Sequence, residues 1–185
     1  MSETANVTYA KPKIGGAIHS APLGTKLPVN ATEKLDTKFK NLGFISDDGL
    51  TNEDTRESEE VKAWGGQTVA APQKSKSDKF KYKLLEILNV DVLKEVYGST
   101  NVEGTLETGI KIKSNAKELE EHALVIDMIL KGEILKRIVV PKAKVKEVAE
   151  IAYKDNEVAG YDTTIQAFPD ADENTHYEYI QKATP

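Results

Sequence analysis

The chain has 185 residues, a formal charge of −5 and no cysteine. A domain of that length buries about 70% of its unfolded surface, so it needs neither a disulfide nor a metal to fold, and thiol chemistry is excluded. The acidic balance argues against gripping a nucleic-acid backbone, which calls for a basic face. Residues 1–10 lack an apolar signal core, and no stretch approaches the roughly 18 apolar residues of a membrane helix. The sequence reads as a soluble protein used without secretion and without a membrane partner.

In chain order, residues 1–22 hold too few apolar side chains for a core element and are punctuated by Pro12, Gly15, Gly16 and Pro22. A frayed terminus is the ordinary fate of such a segment. Ile14 and Ile18, on either side of Gly15 and Gly16, also suit an arm that orders on a neighbouring subunit. Leu35 to Ile45 alternates, with Leu35, Thr37 and Phe39 on one side, and Asp48-Gly49 is a turn signal. Residues 47–60 then carry Asp47, Asp48, Glu53, Asp54, Glu57, Glu59 and Glu60 against only Arg56. VKAWGGQTVAAPQ follows, where Trp64 precedes Gly65 and Gly66. Residues 46–77 are expected to form a long loop or splayed hairpin. Long loops in compact domains are generally functional or disordered, and a loop tryptophan seldom stays exposed without a partner.

The clearest strand-to-helix transition is residues 77–98, SDKFKYKLLEILNVDVLKEVYG. Phe80, Tyr82 and Leu84 alternate with lysines, the period of a half-buried strand. Asn89 sits at a helix N-cap, Asp91 suits the positive end of the dipole, and Gly98 suits the helix end. Val92, Leu93, Val96 and Tyr97 make one apolar stripe, and so short a helix must pack on a sheet. Leu106 to Ser114 alternates again, and residues 115–122 read as a loop. LVIDMIL and ILKRIVV flank Lys131-Gly132-Glu133, a hairpin with a three-residue connection. Leu124, Ile126, Met128 and Leu130 share one face and Val125, Asp127 and Ile129 the other, so this strand needs cover on both sides. Pro141 is expected to end its strand, because it cannot donate to a ladder. Val145, Glu147, Ala149, Ile151 and Tyr153 predict a further strand, Tyr161 to Phe168 the last strong one, and Tyr177 to Ile180 a short edge strand.

No constellation of residues carries chemistry. His19, His122 and His176 lie far apart, and none has a second ligand at helical or hairpin spacing. Asp170, Asp172 and Asn174 resemble the opening of a calcium loop, but Thr175 stands where glycine is required and Gln181 where the closing glutamate belongs. Neither glycine pair is followed by the lysine and helix of a phosphate loop, and no nucleophile stands in a motif with a base. Asp127 is expected to pair with Lys136 or Arg137 across its hairpin rather than to do acid–base work. The sequence reads as a non-enzyme with no cofactor and no metal.

KPKIGGAIHSAPLGTKLP resembles the Pro-x-x-Gly-Gly opening, with its following Ala-Pro, of the tail tube proteins (major tail proteins) of long-tailed bacteriophages with non-contractile tails. LGFISDDGLT leading to EEVKAWGGQTV resembles that family's loop motif at Gly43, Asp48, Gly49, Lys62, Trp64, Gly65 and Gly66. FKYKLLEILNVDVLKEVYGSTNV resembles its strand, helix and Tyr-Gly end, and KRIVVPKAKVKEV and YDTTIQAFPD its late strands. Residues 115–122 match no part of the pattern.

The resemblance implies a mainly β fold, a β-sandwich or small barrel with one flanking α-helix at about 89–97. It implies an N-terminal arm, 1–22, and a single tail-tube domain, 23–185, with a long inter-subunit loop at about 46–77. It further implies a structural protein of the virion tail, assembled in the host cytoplasm. Hexameric rings would stack into a hollow tube around a tape-measure protein, between tail initiator and terminator proteins, and DNA would pass without specific binding. Pro12, Ile14, Gly15, Gly16, Ile18, Trp64, Gly65 and Gly66 are the implied inter-subunit contacts. The alternatives are the tube subunit of a contractile tail or related secretion needle, which shares the architecture, and a monomeric β-sandwich binding module. A binding module calls for clustered exposed aromatics, and those here are few and scattered.

Overall fold

Alternation of apolar and polar residues decides most of this architecture, which was obtained as a computed structural model and describes residues 2–183. Position 1 of the expected arm and positions 184–185 of the expected domain lie outside the described residues. The strands are β1 (Ala10–Pro12), β2 (Ile18–Pro22), β3 (Lys40–Asn41), β4 (Ile45–Ser58), β5 (Val61–Lys62), β6 (Thr68–Ala70) and β7 (Gln73–Leu84). After the helix α1 (Val90–Tyr97) come β8 (Val102–Glu103), β9 (Lys111–Ile112), β10 (His122–Leu130), β11 (Ile134–Val148), β12 (Tyr161–Ala167) and β13 (Tyr177–Lys182). Nine strands form one sheet in the order β3-β2-β10-β11-β12-β7-β4, with β1 also paired to β10 and β13 to β11. The arrangement is sandwich-like and mainly β, with α1 its one α-helix.

The centre of the sheet is the β10–β11 hairpin. Leu130 faces Ile134 across the expected three-residue connection, and Gly132 (φ 80°) and Glu133 (φ 59°) both take the left-handed region that such a turn demands. The expected cover on both faces is present. On one side Leu124, Ile126, Ile138 and Val140 join Phe80, Tyr82, Leu84, Ile165 and the buried face of α1 in the main core. On the other, Val125 and Val139 pack with Ala21, Phe39, Leu27 and Leu35, and with Tyr177 and Tyr179 of the edge strand.

β11 does not stop at Pro141. It runs on to Val148, and Pro141 is buried within it. The register against β10 shifts between His122 and Leu124, which face Ala143 and Val140. Pro141 therefore sits in a bulge, where no ladder N–H is required of it. Here β11 also changes neighbours: residues 134–139 pair with β13, and residues 143–148 pair with β12. The separate strand expected over 145–153 is the end of β11 and stops at Val148. The alternation of Leu35 to Ile45 yields β3 and the first residue of β4, and that of Leu106 to Ser114 only β9.

Helix α1 follows its signals. The Asn89 side chain accepts from the Asp91 N–H at 3.0 Å, Val92, Leu93 and Val96 are buried, and Gly98 closes the helix at φ 93°. Residues 46–77 form a hairpin rather than a loop. β4 and β7 pair from Leu50 and Tyr82 out to Ser58 and Gln73, and the small β5–β6 ladder caps the far end. The Asp48-Gly49 turn signal is a bulge inside β4, where Gly49 has φ 73°.

Candidate assembly surfaces

The β4–β7 hairpin leaves the body near Asp78. Beyond that row, residues 54–76 are all exposed. No apolar core holds this part. Its own ladder does, helped by an acidic strand facing a basic one: Lys76 lies 3.5 Å from Asp54, Lys79 and Lys81 lie 3.4 and 3.0 Å from Glu53, and Lys74 lies 3.8 Å from Glu59. Three of the seven acids of that run, Glu53, Asp54 and Glu59, are thus matched by lysines across the strands. At about 3.3 Å per residue, Ala63 stands roughly 30 Å beyond Asp54. There the Ala63 N–H donates to the Gln67 carbonyl at 2.8 Å, and Gly65 (φ 106°) and Gly66 (φ 91°) supply the tight turn. Trp64 at this tip is fully exposed.

At the root of the hairpin Asp78 is buried, only 1% exposed. It accepts from Asn52 Nδ2 at 2.8 Å and Thr175 Oγ1 at 2.6 Å, and His176 Nδ1 lies 2.6 Å away. Burial pushes its carboxyl up, but the bonds from His176, Thr175 and Asn52 outweigh this and hold it at about 2. The bond to Asp78 raises the His176 imidazole in turn, against the opposing pull of burial. The His176 ring also meets Phe80 edge-on, with centroids 5.4 Å apart. This cluster ties the hairpin root to the start of β13. It was not foreseen, although a signal existed: Asp78 occupies the same alternation phase as Phe80, Tyr82 and Leu84, so a carboxylate stands at a core position. Its partners lie 97 and 98 residues away in sequence.

Asp127 pairs with Arg137, as expected from the hairpin. Nε and Nη2 of Arg137 donate to the two carboxylate oxygens at 2.6 and 2.9 Å. Arg137 Nη1 also donates to the carbonyls of Asn30 and Glu33 at 3.1 and 2.7 Å, and Lys13 Nζ lies 3.4 Å from Asp127. This cluster is structural: it fastens the 30–33 turn and the base of the arm to the central hairpin.

The eight implied contact residues fall into two separate places. Pro12 is exposed in β1, Ile14 is 93% exposed, and Gly15 and Gly16 follow it in a turn. A Cβ on Gly16 would collide with the Asn41 side chain, so that glycine serves internal packing. Ile18 is fully buried in the main core, so its side chain presents nothing to a neighbour. Trp64, Gly65 and Gly66 are together at the hairpin tip. Within the first 22 residues, those before β1 that are described are exposed, whereas β2 is an integral strand beside β10.

A groove of about 690 Å³ opens between α1, β2 and residues 37–42 and 119–122. Leu23 and Leu119 give it apolar surface, Lys38, Lys40 and Lys94 line it together with Asp91, Glu120 and Glu121, and Glu95 and His122 lie against it. His122 Nε2 is 2.9 Å from Glu95 Oε1, though neither atom finds a well-aligned hydrogen bond. Burial pushes the Glu95 carboxyl up, but the neighbouring imidazole and a bond from Ser20 bring it below its ordinary value. His122 is raised by Glu95 despite its own burial. Among the described residues no group of three or more His, Cys, Asp or Glu is placed to hold a metal ion, and no helix is long and apolar enough to cross a membrane.

A mainly β body with open sheet edges and a projecting hairpin is the shape of a building block. No curated protein matches the chain. The family model for phage tail tube protein matches residues 10–185, nearly the whole chain. The chain belongs to the phage tail tube protein family, structural components of the virion tail that assemble with other tail proteins into a multimeric tube.

Proposed function

We propose that this chain is the repeating subunit of a non-contractile tail tube, closing into hexameric rings that stack around a tape-measure protein between initiator and terminator proteins. Assembly takes place in the host cytoplasm, and the finished bore passes DNA during ejection. The observation that carries this reading is the hairpin. Residues 54–76 are wholly exposed yet ordered by their own ladder, and they end in an unburied tryptophan. An apolar tip on a self-supporting strut is poorly satisfied in an isolated chain and well satisfied against a neighbour. The strand path also ends at β3 and β4, and β1 and β13 each pair with one neighbour among the described residues, so each leaves an edge open. Strand edges of this kind accept another chain without disturbing the ladder already made. The exposed arm around Ile14 and Pro12 supplies a second strut. A net charge of −5 suits a conduit, because phosphates held by a basic wall would stop DNA sliding.

The test is negative-stain microscopy of the concentrated full chain beside its mass by light scattering. Six-fold rings or hollow tubes are expected. A chain that stays monomeric at every concentration, even with tail initiator complex present, refutes the reading.

A further inference from the structure

We propose that Asp48 is a site of spontaneous covalent modification, at which the folded chain closes a ring onto the Gly49 nitrogen and reopens it as an isoaspartyl linkage at the root of the β4–β7 hairpin.

The pair stands alone in the sequence. Asp48 is the only aspartate followed by glycine, and no asparagine is. A side chain on the following residue hinders attack by that residue's nitrogen, and glycine removes the obstacle. The structure keeps the pair accessible. Between the rungs Ile45–Leu84 and Leu50–Tyr82, β4 advances from 45 to 50, five residues, while β7 advances from 84 to 82, two residues. Residues 46–49 therefore face no register partner on β7. Gly49 takes φ 73°, and nothing lies within 4 Å of the place where its Cβ would stand. The Asp48 side chain is exposed. It accepts one long bond, from Ser46 Oγ at 3.4 Å, and no ion pair holds it among the described residues. The carboxylates of Asp78 and Asp127, by contrast, are buried and held by several donors.

The chemistry needs water alone. The Gly49 nitrogen attacks Cγ of Asp48, a C–N bond forms, the amide proton is given up, and a carboxyl oxygen leaves as water. In the resulting five-membered imide the nitrogen is bonded to both carbonyl carbons of residue 48. Water then re-enters at one of them. Breaking the new bond restores aspartate, whereas breaking the original peptide bond leaves Gly49 joined through Cγ. One water is lost and one regained, nothing is oxidised or reduced, and the freed α-carboxylate keeps the charge unchanged. The main chain gains one carbon between Ile45 and Leu50, both of which pack on the main core. The bulge already holds three more residues than the strand opposite, five against two. It therefore takes up the added atom, and the ladder from Leu50 outward keeps its register.

The full chain, aged while folded in mildly acid buffer at physiological temperature, is digested and probed with protein isoaspartyl methyltransferase and labelled S-adenosylmethionine. Label is expected on the one peptide that holds residues 48 and 49, with its mass unchanged before methylation. Asp48→Glu keeps the charge but needs a six-membered ring, and is expected to lose the label. Asp48→Asn is expected to gain it faster, releasing ammonia in place of water. Gly49→Ala is expected to lose most of it. Alanine is strained at this φ, so Asp48→Glu carries the test if that variant does not fold. No label at residue 48 in the aged chain, or label only when the chain is aged in denaturant, overturns the proposal. Label that persists in Asp48→Glu also overturns it. A modified fraction that melts well below the fresh chain overturns the claim that the bulge absorbs the added carbon.

Discussion

Replacing Asp127 by Asn tests the central hairpin with almost no change of volume. Asp127 and Arg137 are 4% and 2% exposed, so water supplies little compensation for a lost charge. The substitution keeps an oxygen for one bond but leaves the guanidinium buried without its counter-ion, opposite the Lys13 ammonium 3.4 Å from the same site. Breaking one side of a buried pair costs about 3–5 kcal/mol. At about 2–4 °C per kcal/mol for chains near this length, Tm falls by roughly 6–20 °C. Part of the loss falls on the 30–33 turn, which Arg137 holds through the Asn30 and Glu33 carbonyls. Two-state denaturant unfolding of the full chain under non-assembling conditions is the assay. Replacing both partners, Asp127→Leu with Arg137→Met, is expected to recover only part of the loss, because no buried guanidinium is then left without a counter-ion but its bonds to the Asn30 and Glu33 carbonyls stay lost. A single-variant loss under about 1 kcal/mol would refute the claim that this pair is desolvated and structurally engaged.

The Asp78 cluster sets a pH window. Its folded carboxyl lies at about 2 against an ordinary 3.8, so its stabilisation is complete above pH 3.8 and is lost as pH falls toward 2. His176 is raised above 6.5, so its share is complete below 6.5 and fades as pH rises through the folded value. Stability against pH is therefore expected to show an acid limb that Asp78→Asn flattens and a shallower neutral limb that His176→Gln removes; unchanged limbs in both variants would sink this assignment. Leu93→Ala empties a buried position under α1 and should cost about 2–5 kcal/mol in denaturant unfolding; a loss below about 1 kcal/mol would place α1 outside the main core. Deleting residues 2–9, whose described side chains are exposed, should leave Tm within about 2 °C and impair tube formation in the microscope; normal tubes would make that segment a frayed end.

Several features were legible locally because their causes are local. Asn89 and Gly98 marked the ends of α1 through capping chemistry that acts within a few residues. The Lys131-Gly132-Glu133 turn and the facing of Asp127 by Arg137 followed from the register a three-residue connection imposes. Pro141 misled because its rule is conditional. A proline ends a strand only where its N–H is needed, and the bulge that removes this need depends on His122 and Ala143 meeting across the hairpin. Ile18 misled for a similar reason. Beside two glycines it reads as an arm residue, and only the adjacency of β2 to β10 makes it core.

The sequence by itself determined the period-two strands, the single capped helix, the two-sided demand of β10 and the family, since all of these reside in short runs and their order. Tertiary structure alone decided what happens to polar groups that require a distant partner. It brought His176 and Thr175 to Asp78, laid the lysines of β7 against the acids of β4, and opened the groove between α1 and β2. Those outcomes depend on which strands become neighbours, and strand order is set by burying both faces of the central hairpin at once, a condition that no single segment contains.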